Sequence, residues 1–302
     1  STTTARPNIK FEYFLPPAND ANLNAFISPS GAFCAGAQTI EVELKNSGTS
    51  NLTSDSLYWS VNGTAQTPVY WTGNLATSET DTITLGTFSF ANGVVTNLEV
   101  ISKKPNGVLD QYPSNDTLRG AISPSMNGTY TINNNVPTVG TNYNSFADAT
   151  ADLALKGICG PVTFNIATGT YTEQVELGAV VGASAMNTIT FQSASGDSTD
   201  VILKYNSSSS TARHTFVLNG ADYVTIQNMT VKSEGTSYGN AIGIDGGATN
   251  NTIRNNVIIG VTTTSTSTYL ALVYDGSGMD TDNLIDNNIM QNGSNAVYAN
   301  SP

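Results

Sequence analysis

The sequence has few charged residues, and positively charged ones are the scarcest. Asp, Glu, Lys and Arg make up 11% of its 302 residues, with 11 Lys and Arg against 23 Asp and Glu, for a formal net charge of −12. Binding to nucleic acid or to anionic lipid needs clustered Lys and Arg, so this composition argues against both as partners. No apolar run reaches the roughly 18 residues of a membrane-spanning helix, so no membrane span is expected.

Histidine and cysteine are also scarce, which restricts catalytic and metal chemistry. His214 is the single histidine, and we interpret it as a residue at a strand edge rather than a catalytic base. Two cysteines cannot form a disulfide framework. We expect Cys34 and Cys159, in different domains, to be small buried side chains. A single disulfide across the domain junction is the alternative, and an oxidising compartment would permit it.

Ser, Thr, Asn and Gly dominate the polar part of the sequence instead. Such a composition is typical of a secreted β protein with many turns. A length of 302 residues is enough for two domains. We predict an all-β chain with a linker or the tail of a preceding module at 1–24, an immunoglobulin-like β-sandwich at 25–122 and a right-handed parallel β-helix at 123–302.

The predicted sandwich is indicated by a hydrophobic period of two, which half-buried strands require. Alternating segments fall at 39–45, 57–61, 82–85 and 97–100, and the hairpin signal Asn62-Gly63 follows the second of them. Several short strands at this spacing, over about 100 residues, are typical of an immunoglobulin-like sandwich.

The predicted β-helix is indicated by an internal repeat. Three segments, separated by about the length of one coil, align with one another. One position is always isoleucine and another is always asparagine: Ile226, Ile253 and Ile285, then Asn228, Asn255 and Asn287. We expect the isoleucines to stack along the axis. The asparagines are expected to occupy a sharp left-handed bend and to hydrogen-bond from coil to coil.

The strongest acidic cluster lies near the end of the sequence, in a glycine-rich stretch that contains Asp275, Asp280, Asp282 and Asp286. We interpret it as a loop between coils. A Ca²⁺ site at Asp275, Asp280 and Asp282 is one alternative, because Ca²⁺ binds clustered carboxylates. A hydrolase site with paired carboxylates is the other. The lack of an accompanying Arg, Lys or His argues against the hydrolase.

A second group of oxygen ligands, Asp110, Asn115 and Asp116, lies at the end of the first domain. These residues could bind Ca²⁺, but capping of turns by Asp and Asn side chains is the favoured interpretation. We therefore predict no catalytic residue and no cofactor, with Ca²⁺ as the alternative, and a protein that is not an enzyme.

Three stretches of the first domain carry a resemblance to a known family. They are the stretch from Ala37 to Gly48, Trp59-Ser60-Val61-Asn62-Gly63 and the closing Ser114-Asn115-Asp116-Thr117. With them the domain resembles CARDB-type domains, which are cell-adhesion-related, immunoglobulin-like modules. It implies a module that serves as a spacer or binding unit in large exported bacterial surface proteins.

Four stretches of the second domain, 160–166, 169–175, 190–197 and 218–226, carry a second resemblance. With them the domain resembles the pectin-lyase-like β-helical domains of large secreted proteins of the Bacteroidetes. The resemblance implies export to the cell surface or the medium, commonly by the type IX secretion route. It also implies O-glycosylation at a motif of Asp, then Ser or Thr, then an apolar residue or Thr. Acceptors in this motif, which chance could also produce in a Ser/Thr-rich chain, are Ser56, Thr82, Thr117 and Ser198.

The two resemblances together imply a non-catalytic structural or adhesive segment of a large bacterial cell-surface protein, such as an attachment or gliding adhesin. A polysaccharide lyase or hydrolase and a carbohydrate-binding module are the alternatives. Expected partners are other modules of the same long chain, surface glycans, and cell-envelope or secretion proteins. Ser1-Thr2-Thr3-Thr4 carries no signal peptide, so export requires that a signal was removed or that this is an internal segment. We expect the β-helix to continue beyond Pro302.

Overall fold

The chain forms two compact units, which a computed structural model describes over residues 17–276 and 278–300. The first unit comprises residues 17–30, 37–88 and 96–122. The second comprises 31–36, 89–95 and the described residues from 123 onward. Most of the predicted linker, the N-terminal Ser1-Thr2-Thr3-Thr4 and the C-terminal Pro302 lie outside the described residues.

The first unit is a β-sandwich. One sheet has the strand order β1-β2-β6, and the other has the order β4-β3-β7-β8, with β5 also paired to β3. A short 3₁₀ turn, Pro105–Gly107, precedes the last strand. The strands are β1 Ala21–Ser28, β2 Gly36–Asn46, β3 Leu52–Val61, β4 Thr64–Ala65, β5 Val69–Leu75, β6 Thr80–Phe90, β7 Thr96–Lys103 and β8 Thr117–Ile122.

Strand β1 begins inside the segment that the sequence suggested was a linker. Its first residue, Ala21, pairs with Asn46, and Leu23 pairs with Leu44 of the antiparallel strand β2. Ala21 and Leu23 are both buried, so this edge of the sandwich is held by apolar burial as well as by the ladder. The apolar pattern of 1–24 is too short to show this before the partner strand is known.

The second unit is a parallel β-helix with three sides. Its sheets have the orders β10-β9-β11-β14-β17-β20-β23, β12-β15-β18-β21-β24 and β13-β16-β19-β22-β25. The chain therefore visits each side once per coil, as the internal repeat predicts, and the predicted fold class is confirmed. A 3₁₀ turn, Thr268–Leu270, lies in the last long connection.

The strands of the β-helix are listed here in chain order. They are β9 Met126–Ile132, β10 Asn142–Tyr143, β11 Ile158–Ile166, β12 Gly169–Thr172, β13 Val175–Gly178, β14 Ile189–Ser193, β15 Val201–Tyr205, β16 His214–Asn219, β17 Val224–Gln227, β18 Thr230–Ser233, β19 Asn240–Asp245, β20 Thr252–Arg254, β21 Val257–Ile259, β22 Val273–Asp275, β23 Leu284–Asp286, β24 Ile289–Gln291 and β25 Val297–Ala299.

A single α-helix in the described residues, α1 Phe146–Lys156, covers the first coil. Phe146, Ala149 and Leu153 are buried in the core of the unit. The Ser145 hydroxyl caps the helix by accepting a hydrogen bond from the Asp148 N–H at 3.0 Å. Neither α1 nor any other helix of the described chain is long and apolar enough to cross a membrane.

The core of the β-helix is built from ladders of equivalent side chains. In the first sheet, Ile226 pairs with Ile253, and Ile253 pairs with Ile285. The same ladder continues towards the N-terminus as Phe191, Phe164 and Tyr130. Since the residue type changes from aliphatic to aromatic, the repeat in the sequence reveals only the second half of this ladder.

The asparagines that the repeat singles out lie at the bends. Asn228, Asn255 and Asn287 all have positive φ angles, of 55°, 54° and 48°. One exposed amide contact joins two of them, from Asn287 Nδ2 to Asn255 Oδ1 at 2.7 Å. The buried contacts between coils come instead from the residue that follows each bend.

Asn256 is the centre of this buried network. Its Oδ1 accepts a hydrogen bond from the Met229 N–H at 3.2 Å, and its Nδ2 donates to the Ile226 carbonyl at 2.9 Å. The same Nδ2 donates to Asn288 Oδ1 in the next coil at 3.1 Å. A buried amide thus satisfies backbone groups that the bend removes from the β-ladder.

A second stack, of buried Asn251 and half-buried Asn283, acts in the same way at the preceding bend. Asn251 Oδ1 accepts from the Val224 N–H at 2.9 Å, and its Nδ2 donates to the Ala221 carbonyl at 2.8 Å. Asn283 Oδ1 accepts from the Asn251 N–H in turn at 3.0 Å. The doublets Asn250-Asn251 and Asn255-Asn256 therefore divide two tasks, since the first residue makes the bend and the second bonds between coils.

The two cysteines form a disulfide, Cys34–Cys159, that closes a loop with a sequence separation of 125. Both lie in the second unit, because residues 31–36 belong to it. The expectation that they occupy different domains is therefore wrong, and the bond does not cross the junction. The sequence does not reveal that residues 31–36 belong to the second unit, because a short loop between two sandwich strands carries no pattern of its own.

We predict that Asn256→Ala destabilises the β-helix by about 2 to 4 kcal/mol, since it leaves the buried Ile226 carbonyl and Met229 N–H unpaired. Asn255→Gly is the control and should cost less than about 1 kcal/mol, because glycine adopts the same left-handed bend. Urea unfolding followed by far-UV circular dichroism measures both. Equal losses in the two variants would contradict the division of tasks.

We predict that iodoacetamide labels neither Cys34 nor Cys159 in guanidinium without a reductant, and labels both after reduction. The reduced protein should also unfold at lower denaturant concentration, since a disulfide across a long loop stabilises by about 2 to 4 kcal/mol. Intact-mass spectrometry reads the labelling. Labelling without reductant would show that the cysteines are free.

Candidate functional site: a row of tyrosines on the β-helix

The third sheet of the β-helix carries stacked aromatic rings on its outward side. Tyr274 alternates with buried Val273 in β22 and pairs with Tyr298 of β25 in the next coil. The two rings are stacked, with centroids 5.4 Å apart and planes inclined by 18°. In-register parallel strands place equivalent side chains side by side, so the stack follows from the ladder.

Arg213 extends this stack into a longer row. Its guanidinium carbon lies 4.3 Å from the Tyr274 ring centroid and 5.5 Å from that of Tyr269. The Tyr269 ring in turn lies 5.4 Å from Tyr238. We call Tyr298, Tyr274, Arg213, Tyr269 and Tyr238 the tyrosine row. Cation–π contacts of this kind attract a guanidinium to the face of each ring.

Hydrogen bonds fix the orientation of Arg213. Its Nε donates to Asn240 Oδ1 at 2.9 Å, and a terminal nitrogen donates to the Ser210 carbonyl at 3.1 Å. Asn240 is itself fully buried and donates to the Ala271 carbonyl at 2.8 Å. The central cation of the row is therefore anchored to the scaffold rather than free in solvent.

Two glycines make room for rings to lie on the sheet. A Cβ at Gly243 would collide with the imidazole of His214, and one at Gly276 would collide with the ring of Tyr274. The His214 ring centroid lies 6.0 Å from that of Tyr274. His214 thus continues the row of planar groups on the side opposite Tyr298.

His214 is the first residue of β16 and is only 7% exposed. Burial lowers its pKa to about 4, and the neighbouring Arg213 charge adds to the effect. Its Nδ1 has no hydrogen-bond partner among the described residues. The imidazole is therefore neutral at physiological pH and acts as part of the packed surface.

The row is accessible to a ligand. Tyr269 is 40% exposed, and Tyr238, Tyr274, Tyr298 and Arg213 are half-buried. Each ring is thus fixed by its neighbours and still offers part of its surface. Contiguous exposed aromatic surface of this kind marks interaction sites more often than single exposed residues do.

In the predicted acidic cluster, Asp280 binds backbone N–H groups. Asp280 Oδ1 accepts hydrogen bonds from the Gly247 and Ala248 N–H groups at 2.9 and 2.7 Å. Asp282 forms a left-handed bend with φ of 58°, and Asp275 ends β22. Within 17–276 and 278–300, no three His, Cys, Asp or Glu side chains form a group that could hold a metal ion. The structure therefore does not bring Asp275, Asp280 and Asp282 together as a Ca²⁺ site.

The basic residues of the second sheet are paired with an acid. Lys204 and Lys232 both contact Glu234 Oε1, at 3.4 and 2.8 Å. The hydrogen bond from Lys232 lowers the pKa of Glu234. These lysines are therefore engaged in an ion-pair network on the surface.

The four predicted glycosylation acceptors differ in accessibility. Thr82 is exposed in β6, whereas Ser56, Thr117 and Ser198 are half-buried. The aspartates that precede Ser56 and Thr117 are buried. Glycosylation at all four positions stays a prediction from the sequence.

Known structures resemble part of this chain. Two are of the CARDB domain of PF1109 from Pyrococcus furiosus, both with 18% identity and a TM-score of 0.29. The NMR structure covers 36% of this chain and 96% of its own chain. The crystal structure, in complex with di-metal ions, covers 40% of this chain and 99% of its own. A third is a domain from Methanosarcina acetivorans, described as part of a cell-surface protein, with 17% identity, 35% and 91% coverage and a TM-score of 0.29. No protein-family model and no curated protein matches the chain. Likeness at this level carries no conclusion about function.

Sequence reasoning missed the tyrosine row. Two of its members share a signal, the dipeptides Val273-Tyr274 and Val297-Tyr298, which recur at equivalent positions of successive coils. Tyr238, Tyr269 and Arg213 lie in or next to connections between strands, where no repeat exists to align them. Only the fold places these three beside the ladder.

We predict that the β-helix loses stability as the pH falls from 6.5 towards 4. The folded pKa of His214, about 4, lies below its ordinary value of 6.5. The unfolded chain therefore binds the proton first, and the stability present above pH 6.5 declines by up to about 3 kcal/mol below it.

The variant His214→Gln isolates this effect, because glutamine stays neutral while all carboxylates still titrate. Urea unfolding at pH 7 and pH 4.5, followed by far-UV circular dichroism, should show a smaller acid loss in the variant. The same pH dependence in both proteins would show that His214 is protonated freely in the folded state.

Proposed function

We propose that this chain is a non-catalytic, adhesive segment of a cell-surface protein, whose β-helix presents the tyrosine row to neutral glycans. The row carries the proposal, because it joins four tyrosines and one arginine into a continuous, half-exposed surface. Export, an origin in the Bacteroidetes and a role in attachment or gliding belong to the proposal and derive from the resemblances in the sequence.

Stacked tyrosines suit sugar rings for physical reasons. A tyrosine ring offers a flat apolar face to the C–H groups of a pyranose and a hydroxyl that can bond to sugar hydroxyls. The rings of Tyr274 and Tyr298 are already held in place by stacking, so little side-chain entropy is lost on binding. Repetition from coil to coil suits a polymeric ligand with a repeating unit.

A neutral ligand is favoured by the charge of the protein. The formal net charge is −12, which repels polyanions such as acidic polysaccharides. Arg213 is the one cation of the row, and its hydrogen bonds to Asn240 and Ser210 already engage it. An acidic polymer would therefore find little compensating positive charge there.

The absence of catalysis is supported by the contacts and the burial of side chains that could act as general acids or bases. Asp280 is committed to backbone amides, and the one histidine is buried and neutral near pH 7. Lys204 and Lys232 are paired with Glu234. General acid–base catalysis needs such groups free and within reach of a substrate.

We predict that the protein binds neutral oligosaccharides on a glycan array and in calorimetry without cleaving them. Tyr274→Ala combined with Tyr298→Ala should weaken binding about tenfold or more, since each stacked ring contributes about 0.5 to 1.5 kcal/mol. Tyr274→Phe should bind nearly as well as the parent, because the ring face is kept.

Tyr70→Ala is the matched control, since Tyr70 is an exposed tyrosine of the first unit, 71% accessible. It should leave binding unchanged. Release of reducing ends from any bound glycan would favour the enzyme alternative. Binding that survives the double alanine variant would place the ligand site elsewhere.

A further inference from the structure

The first unit contains a buried cluster of carboxylates that the proposed function does not use. Asp20 precedes β1, Asp55 lies in β3, and Asp110 and Asp116 lie in the segment between β7 and β8. Asp20, Asp55 and Asp116 are only 4%, 3% and 8% exposed. Asn115 lies beside them and donates from Nδ2 to Asp20 Oδ1 at 2.9 Å.

One of the four aspartates acts as the sequence predicts. Asp110 Oδ2 accepts a hydrogen bond from the Ala21 N–H at 2.8 Å, and its Oδ1 accepts from the Tyr112 N–H at 2.7 Å. Asp110 therefore caps one turn, through Tyr112, and also binds the first residue of β1. Its proximity contributes to raising the pKa of Asp20, Asp55 and Asp116.

Three oxygens of the cluster have no partner. Asp55 accepts from the Ser102 hydroxyl through Oδ2 at 2.7 Å, but its Oδ1 accepts nothing. Asp116 Oδ1 and Asn115 Oδ1 are likewise buried without a hydrogen bond among the described residues. Buried polar atoms are almost always paired, so the unpaired oxygens of Asp55, Asn115 and Asp116 indicate that a ligand completes them.

No positive charge compensates the cluster within the described chain. The acidic partners in the ion pairs of the described chain are Glu99, Asp152 and Glu234. None of these ion pairs includes one of the four aspartates. Burial raises the pKa of Asp116 to about 7, with Asp110 and Asp20 adding to it. Burial also raises the pKa of Asp55 to about 6. Each neighbouring charge thus acts against ionisation.

We propose that this cluster is a Ca²⁺ site of the first unit, with Asp55, Asp116 and Asn115 as ligands through their unpaired oxygens. Ca²⁺ takes oxygen ligands only, in irregular sets of carboxylates, amides and backbone carbonyls. The three unpaired atoms are two carboxylate oxygens and one amide oxygen. The set has two carboxylates and one amide, so it needs no group of three His, Cys, Asp or Glu side chains, of which residues 17–276 and 278–300 contain none suited to a metal ion.

Mg²⁺ fits the site less well. It demands near-octahedral geometry and keeps several waters, whereas Asp55 and Asp116 are almost fully enclosed. A bound Ca²⁺ would neutralise the repulsion between the aspartates. It would also tie β3 to the segment before β8, and through Asn115 and Asp20 to the start of β1.

The test uses the full chain after removal of Ca²⁺ with EGTA. Both tryptophans of the sequence, Trp59 and Trp71, are buried in the first unit, so their fluorescence reports the unfolding of that unit alone. Millimolar CaCl₂ should raise its thermal midpoint by on the order of 5 °C, and MgCl₂ by much less. Calorimetry should show one binding event.

Asp116→Asn should abolish the Ca²⁺ response while the Ca²⁺-free midpoint stays equal to the parent or rises, since one buried charge is removed. Asp282→Asn is the control with the same change of charge in the β-helix, and it should keep the full response.

Two results would overturn the proposal: no shift and no binding heat in the parent, or a full response in Asp116→Asn. If Asp116→Asn fails to fold, Asp55→Asn takes its place and the calorimetry of the parent still decides. The outcome does not depend on glycan binding, so either proposal can fail alone.

Discussion

The second unit depends on one constraint, which is that successive coils must match in register. Each coil has to present a similar side chain at each inward position, because parallel strands place equivalent residues directly above one another. The ladder from Tyr130 to Ile285 meets this demand with a change from aromatic to aliphatic residues along the axis. The bends between sides are then the difficult points, since backbone groups there leave the ladder.

The buried asparagines resolve the bends. A residue with positive φ turns the chain, and the next residue sends an amide inward to pair with the coils on either side, as Asn255 and Asn256 show. An amide is suited to this because it both donates and accepts. The same register, continued on the outer side of the third sheet, stacks Tyr274 on Tyr298. The stacking of Tyr274 on Tyr298 is thus a consequence of the same register that stabilises the core.

In the first unit the buried polar groups include carboxylates whose oxygens are not all paired. In the β-helix each asparagine oxygen discussed above finds an N–H, whereas Asp55 and Asp116 are enclosed with oxygens that find none. Burying charge without a partner is costly, and repulsion among the aspartates adds to that cost. The tyrosine row therefore lies on the surface of the β-helix, whereas the carboxylate cluster lies in the interior of the sandwich.

The sequence by itself determined the fold class, because periodicity is local. The period of two in residues 39–45 and the recurrence of Ile226 in Ile253 and Ile285 need no knowledge of distant contacts. The left-handed bends at Asn228, Asn255 and Asn287 follow from the conformational preference of asparagine.

Only the tertiary structure decided which groups meet. The pairing of Cys34 with Cys159, the stacking of Arg213 on Tyr269 and Tyr274, and the enclosure of Asp55 near Asp116 each join residues from separate segments of the chain. Such contacts leave no periodic trace, because a connection between strands can place its residues anywhere that its length allows. The repeat determines the β-helical core, and the connections between strands determine which other side chains lie beside it.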